Sequence, residues 1–227
     1  AVEASKHAVL ALQSADKLRN LAPAAGHLVH MPSHIYIRVG KYHDGSLANE
    51  LAVKSDEEYL TQCRQQGFYP VAYYPHNYHF LWATATLEGR KKTAVNAALK
   101  VSEKTNDSLM SECGYGTLQH YHVTPLYAYI RFGMWDEILK ENEPTEDMLY
   151  PKGVWHYARG FAFLGTNKFD ESEKELNALK TISENEYLKK VNIWGINGVT
   201  ELLQIASKVL EGELEAKRKN YNKAIEL

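Results

Sequence analysis

The sequence predicts an all-α protein built as a stack of antiparallel helix pairs. Two observations carry this. One phrase recurs along the chain: an apolar stretch, a Gly, a short link with an aromatic or basic residue, then a second stretch with helical spacing of its apolar positions. No stretch between turn signals alternates with period two, so strands are not expected.

The copies can be taken in order. HIYIRVGKYHDGSLANELAVKSDEEY turns at Gly40, HFLWATATLEGRKKTAVNAALKVSEK at Gly89, LYAYIRFGMWDEILKENE at Gly133 and GFAFLGTNKFDESEKELNALKTI at Gly165. A fifth, degenerate copy, ELEAKRKNYNKAIEL, has Lys219-Asn220 where the Gly would stand. Gly ends a helix readily because it takes the left-handed conformation at no steric cost, and the next residues turn the chain back. The first helix of each pair is apolar nearly all round, as an element covered on two sides must be. Second helices such as 171–181 alternate charged and apolar residues at helical spacing. The stretches Thr61–Tyr74 and Asn106–Tyr115 fall between pairs and read as long loops.

The pattern apolar-x-Gly-x-aromatic-(Asp/Glu)-x-Ala is clearest in Val39-Gly40-Lys41-Tyr42-His43-Asp44, in Leu164-Gly165 with Phe169-Asp170, and, through its aromatic and Ala, in Asn220-Tyr221-Asn222-Lys223-Ala224. It resembles the second half of the tetratricopeptide repeat, over about residues 20 to 227. The resemblance implies a right-handed α-solenoid of about five repeats whose concave face binds peptides or protein segments. The Gly-to-Gly spacings of 49, 44 and 32 depart from the family's period of about 34, so the repeats are irregular. The whole chain, 1–227, is expected to form one such domain. It opens without an initiator Met and ends in mid-pattern, and so reads as a piece of a longer repeat protein whose compartment is left open.

Composition excludes several classes. A net charge of −2 gives no general attraction to nucleic acid, and no apolar run approaches a membrane span. Cys63 and Cys113 have no CxxC spacing and read as unpaired thiols. Phosphate-binding and nucleophile-elbow motifs are missing.

Histidines fall in repeat register. His27, His76 and His120 each lie 13 residues before their Gly, His30 and His79 lie 10 before, and His34 extends the first set to HxxHxxxH. Residues three and four apart share a helix face, and packed helices lie about 8–10 Å apart, so imidazoles on neighbouring first helices can meet over one ion. All-nitrogen ligation suits zinc, copper, nickel or iron, and an open position on the ion would permit catalysis. The competing reading is a polar repeat consensus that hydrogen-bonds between helices. No carboxylate shares the register, Glu88 and Glu112 being the nearest in sequence. A catalytic role is therefore the least favoured. Pro32 leaves two options, a helix starting near Met31 or one kinked there. His122 is placed just ahead of a helix capped by Thr124, with Pro125 first.

A second set, Tyr36, Arg38, Asn77, Tyr127, Tyr129, Arg131, Trp155, His156 and Arg159, lies on the first helices. Guanidinium forks and tyrosines suit a carboxylate, a small anionic ligand or a peptide. Sequence thus favours a binding scaffold, with a transition-metal protein as the alternative.

Overall fold

A computed structural model describes residues 2–63, 68–103, 105, 107–110 and 116–227; the side chains of 62, 63, 68–72, 107 and 108 lie outside this description. The chain is mostly helical, as expected. It divides into two compact units, Ala1–Lys104 and Thr105–Leu227, where sequence suggested a single domain.

In the first unit a 3₁₀ turn at Ala8–Ala11 leads into α1 (Leu12–Leu18), followed by α2 (Gly26–His30), α3 (Pro32–Arg38), α4 (Tyr42–Cys63), α5 (Phe68–Glu88) and α6 (Lys91–Glu103). The second unit holds α7 (Asp107–Met110), α8 (Gly116–His122), α9 (Thr124–Arg131), α10 (Trp135–Lys140), α11 (Leu149–Gly165) and α12 (Phe169–Ser183). After a 3₁₀ turn at Glu186–Lys190 come the strands β1 (Asn192–Ile193) and β2 (Asn197–Gly198), then α13 (Val199–Lys217) and α14 (Tyr221–Glu226).

Helix α4 organises the first unit, packing against α2, α3 and α5. Its buried residues are Gly45, Ser46, Ala48, Asn49, Ala52, Val53 and Asp56, all small or short. A Cβ at Gly45 would lie 2.9 Å from the Thr84 methyl of α5, and one at Gly26 would overlap the Asp56 carboxylate. Small side chains here let three helices approach one another closely.

Five helices end in the same way. The amide of Lys41 donates to the Tyr36 carbonyl, Arg90 to Ala85, Met134 to Tyr129, Lys168 to Phe163 and Asn220 to Glu215, at 2.8–2.9 Å. Each bond spans a left-handed residue: Gly40 (φ 77°), Gly89 (82°), Gly133 (64°), Asn167 (60°) and Lys219 (66°). This is the Schellman cap, which satisfies carbonyls that a helix end leaves open. The fourth turn corrects the sequence reading. Gly165 is the last residue of α11 and Asn167 takes the left-handed position. Gly165 is small for another reason: a Cβ there would lie 2.5 Å from Trp135 Cε2.

Other expectations need correction. Thr61–Tyr74 is largely helix, since α4 continues to Cys63 and α5 begins at Phe68. Pro70 falls in the first turn of α5, where no N–H partner is needed. Of Asn106–Tyr115, Asp107–Met110 forms a helical turn; the rest, with Cys113 and Glu112, lies outside the described residues, as does the Cys63 side chain. The pair β1–β2 is a small hairpin the sequence reading omitted. Two-residue strands are too short to alternate, and its turn places Trp194 and Gly195 both at positive φ. His122 lies just ahead of α9, as expected, and also closes α8; the N-cap of α9 is Val123, so Thr124 is its first residue and Pro125 its second, with the Thr124 hydroxyl donating to the His120 carbonyl at 3.1 Å.

The Trp135 contact yields a test. Gly165→Ala should lower stability by about 1–3 kcal/mol, the usual range for overpacking. Asn167→Gly, which relieves a left-handed side chain, should not destabilise. Urea unfolding of both variants measures this; a neutral Gly165→Ala would contradict the packing account.

Candidate metal centre

Pro32 meets both readings halfway. It is the first residue of α3, where its missing N–H costs nothing, and Met31 before it is helical (φ −50°, ψ −36°). The chain thus passes from α2 to α3 through one helical residue. His30 and His34 keep a shared face across the junction.

Three imidazoles converge on one point. His30 Nε2 lies 3.0 Å from His34 Nε2 and 3.1 Å from His76 Nε2. Among the described residues, His30, His34 and His76 form the group whose ligand atoms all lie within 4.8 Å of one another. For metal–nitrogen bonds of about 2.0–2.1 Å at tetrahedral angles, ligand nitrogens stand about 3.3 Å apart, close to the two separations made by His30 Nε2. Phe80 packs its ring against all three imidazoles, with centroids 4.7, 4.4 and 4.9 Å away.

Neighbouring groups set the tautomers. The Asn49 amide donates from Nδ2 to the Gly45 carbonyl at 2.8 Å, which turns its Oδ1 toward His30. Oδ1 accepts from His30 Nδ1–H at 2.7 Å. His30 Nε2 therefore presents a lone pair. On His34, Nδ1–H donates to the Glu3 carboxylate at 2.6 Å, leaving the lone pair on Nε2. Metal-binding histidines commonly use such outer partners to fix ring and tautomer. His30 is fully buried. Burial first, then the His76 and His34 imidazoles, push its pKa down to about 2; burial, then His34 and His27, bring His76 to about 4. Both rings are held neutral at physiological pH, the form that binds metal.

The other histidines of the register separate. His27 borders the group, its ring 5.6 Å from that of His30 and 6.1 Å from that of His76. His79 is not in the group and packs 5.0 Å from the Trp82 ring. His120 lies in the second unit, its Nδ1 2.8 Å from the Tyr150 hydroxyl. Glu88 is bound to His43 Nδ1 at 2.6 Å. Glu3 and Asn49 were missed by the sequence reading. Asn49 left a trace, an amide on the small apolar face of α4; Glu3, in no repeat, left none.

The residues expected to bind an anion are divided between the two units. Tyr36 is buried and donates to Asp16 at 2.8 Å; Asn77 is buried and donates to Asp56 at 2.7 Å. Tyr127 lies 3.4 Å from the Tyr150 hydroxyl, and Tyr129 is buried. Trp155 Nε1 donates to the Glu141 carbonyl at 3.0 Å, and the Arg159 guanidinium stacks on its ring at 4.4 Å. His156 and Arg159 both bind Glu175, at 2.6 and 2.9 Å. Arg38 and Arg131 are exposed.

No protein-family model, curated protein or solved structure matches the chain. Among the described residues, no helix is long and apolar enough to cross a membrane.

His120 offers a pH test outside the metal group. Burial lowers its pKa to about 4. Below pH 6.5 the unfolded chain takes up a proton that the folded chain refuses, so stability falls with pH until about 4. Wild type should therefore lose on the order of 3 kcal/mol more than His120→Gln between pH 7.5 and 4.5 in urea unfolding. Equal losses would mean that His120 titrates freely.

Proposed function

We propose that this is a transition-metal-binding protein whose ion is held by Nε2 of His30, His34 and His76. The observation carrying the reading is the meeting of these nitrogens, with Asn49 and Glu3 turning two of the lone pairs toward each other. Two facing lone pairs repel unless an electrophile sits between them. A proton bridges two nitrogens, whereas a third converging imidazole calls for a centre that takes three or more ligands. Neutral imidazoles without a thiolate favour zinc, copper, nickel or iron(II).

Protein prepared without an affinity tag and dialysed against zinc or cobalt(II) should retain about one ion per chain after desalting. Loading should raise the melting temperature, because an ion at 100 times its Kd adds about 2.7 kcal/mol to a fold that alone binds it. His30→Ala, His34→Ala and His76→Ala should each abolish retention. Absence of retained metal, with identical melts, would end the proposal. Asn49→Leu and Glu3→Gln keep all three ligands and should weaken affinity about 10–100-fold, the usual effect of losing an outer partner. Unchanged affinity would remove their orienting role.

We infer further that the hairpins are degenerate tetratricopeptide units, which the five identical caps support. A scaffold for acidic peptides or small anions is the second reading. Arg38 and Arg131 favour it, both exposed two residues before a capping Gly. It would be lost if a pool of acidic peptides bound wild type and the Arg38→Ala/Arg131→Ala variant alike.

A further inference from the structure

His27 stands apart from the proposed ligands. It lies on α2 three residues before His30, and its ring touches those of His30 and His76 at 5.6 and 6.1 Å. It does not join the nitrogens that gather within 4.8 Å. A fourth ligand nitrogen would stand about 3.3 Å from the others, so in this rotamer His27 lies in an outer shell. Its Nδ1 is nonetheless buried and without a hydrogen-bond partner. Leaving such an atom unpaired costs about 1–3 kcal/mol, and folded proteins leave few.

Two further features bear on this residue. His27 lines a surface pocket with Gly26, Leu28, Asp56 and Tyr59. Phe80, by contrast, gives the three imidazoles an apolar wall. Access from solvent thus reaches a histidine that touches two of the proposed ligands. Three imidazoles fill three positions of a four-coordinate ion, and the fourth falls to an exogenous group.

We propose that His27 serves this exogenous group: it hydrogen-bonds a small anion or hydroxide carried on the fourth position, making the centre a small-anion site. The proposal rests on the metal reading above. Small triatomic and carboxylate-sized anions are the chemical class that such a position takes, and a fixed imidazole beside it adds a directional hydrogen bond that Phe80 cannot.

Cobalt(II)-loaded protein titrated with azide, followed by the visible absorption of the ion, tests this. Wild type should bind azide. His27→Phe should hold cobalt(II) within about threefold of wild type but bind azide at least tenfold more weakly. His27→Asn, whose amide places a polar atom near the Nδ1 position, should recover most of that loss and serves if the Phe variant does not fold. Equal azide affinity in wild type and variants, or no spectral response of wild type, would overturn the proposal. So would a hundredfold loss of cobalt(II) affinity in both variants, which would make His27 a ligand. Failure of wild type to take up cobalt(II) would overturn the metal reading itself, and this proposal with it.

Discussion

The first unit depends on how closely helices can approach α4. Its inner face carries nothing larger than Val53 and Asp56, and two glycines, Gly26 and Gly45, sit where a methyl group would collide. Close approach brings α2, α3 and α5 onto one helix, and so brings two chain segments 46 residues apart into ring contact. Larger side chains on α4 would part the imidazoles before they disturbed any of them directly. The position of the histidines is thus a packing result first and a chemical one second.

The same face supplies polar control. Asn49 and Asp56 are buried on α4 among alanines, and each is hydrogen-bonded. Burying an amide costs free energy unless its partners are present, and satisfied buried polar groups specify one arrangement. Asn49 is anchored by a backbone carbonyl, so its orientation is inherited from the helix. His30 in turn takes its tautomer from Asn49.

Much of the fold was legible because helix ends are local. Gly40, Gly89 and Gly133 announce left-handed caps, and Lys219 takes the position that the degenerate fifth copy assigned to it. Gly165 misled, because a glycine can be small for a neighbour's sake; Trp135 is 30 residues away in sequence and gives no local sign. The histidine register, extended to His34 by HxxHxxxH spacing, included His30, His34 and His76, which converge, but also His27, His79 and His120, which do not join them. Register assumes that successive pairs are equivalent. Here the first histidines lie on a helix broken at Pro32, while His76 and His79 lie on a continuous α5 with Pro75 inside it. Equivalent numbering then no longer means equivalent direction. Glu3 was out of reach for a different reason: a contact spanning 31 residues from outside the repeats leaves no period to read.

The division of the chain has a consequence for how such a centre is encoded. Residues 1–104 hold His27, His30, His34 and His76, together with Glu3, Asn49 and Phe80. The converging histidines, their hydrogen-bond partners and the apolar wall are therefore encoded in one contiguous block. Within that block α4 carries Asn49 and packs against the helices that bear the histidines, so an exchange on its inner face bears on all of them. The histidine group is thus contiguous in the gene as well as gathered in the fold.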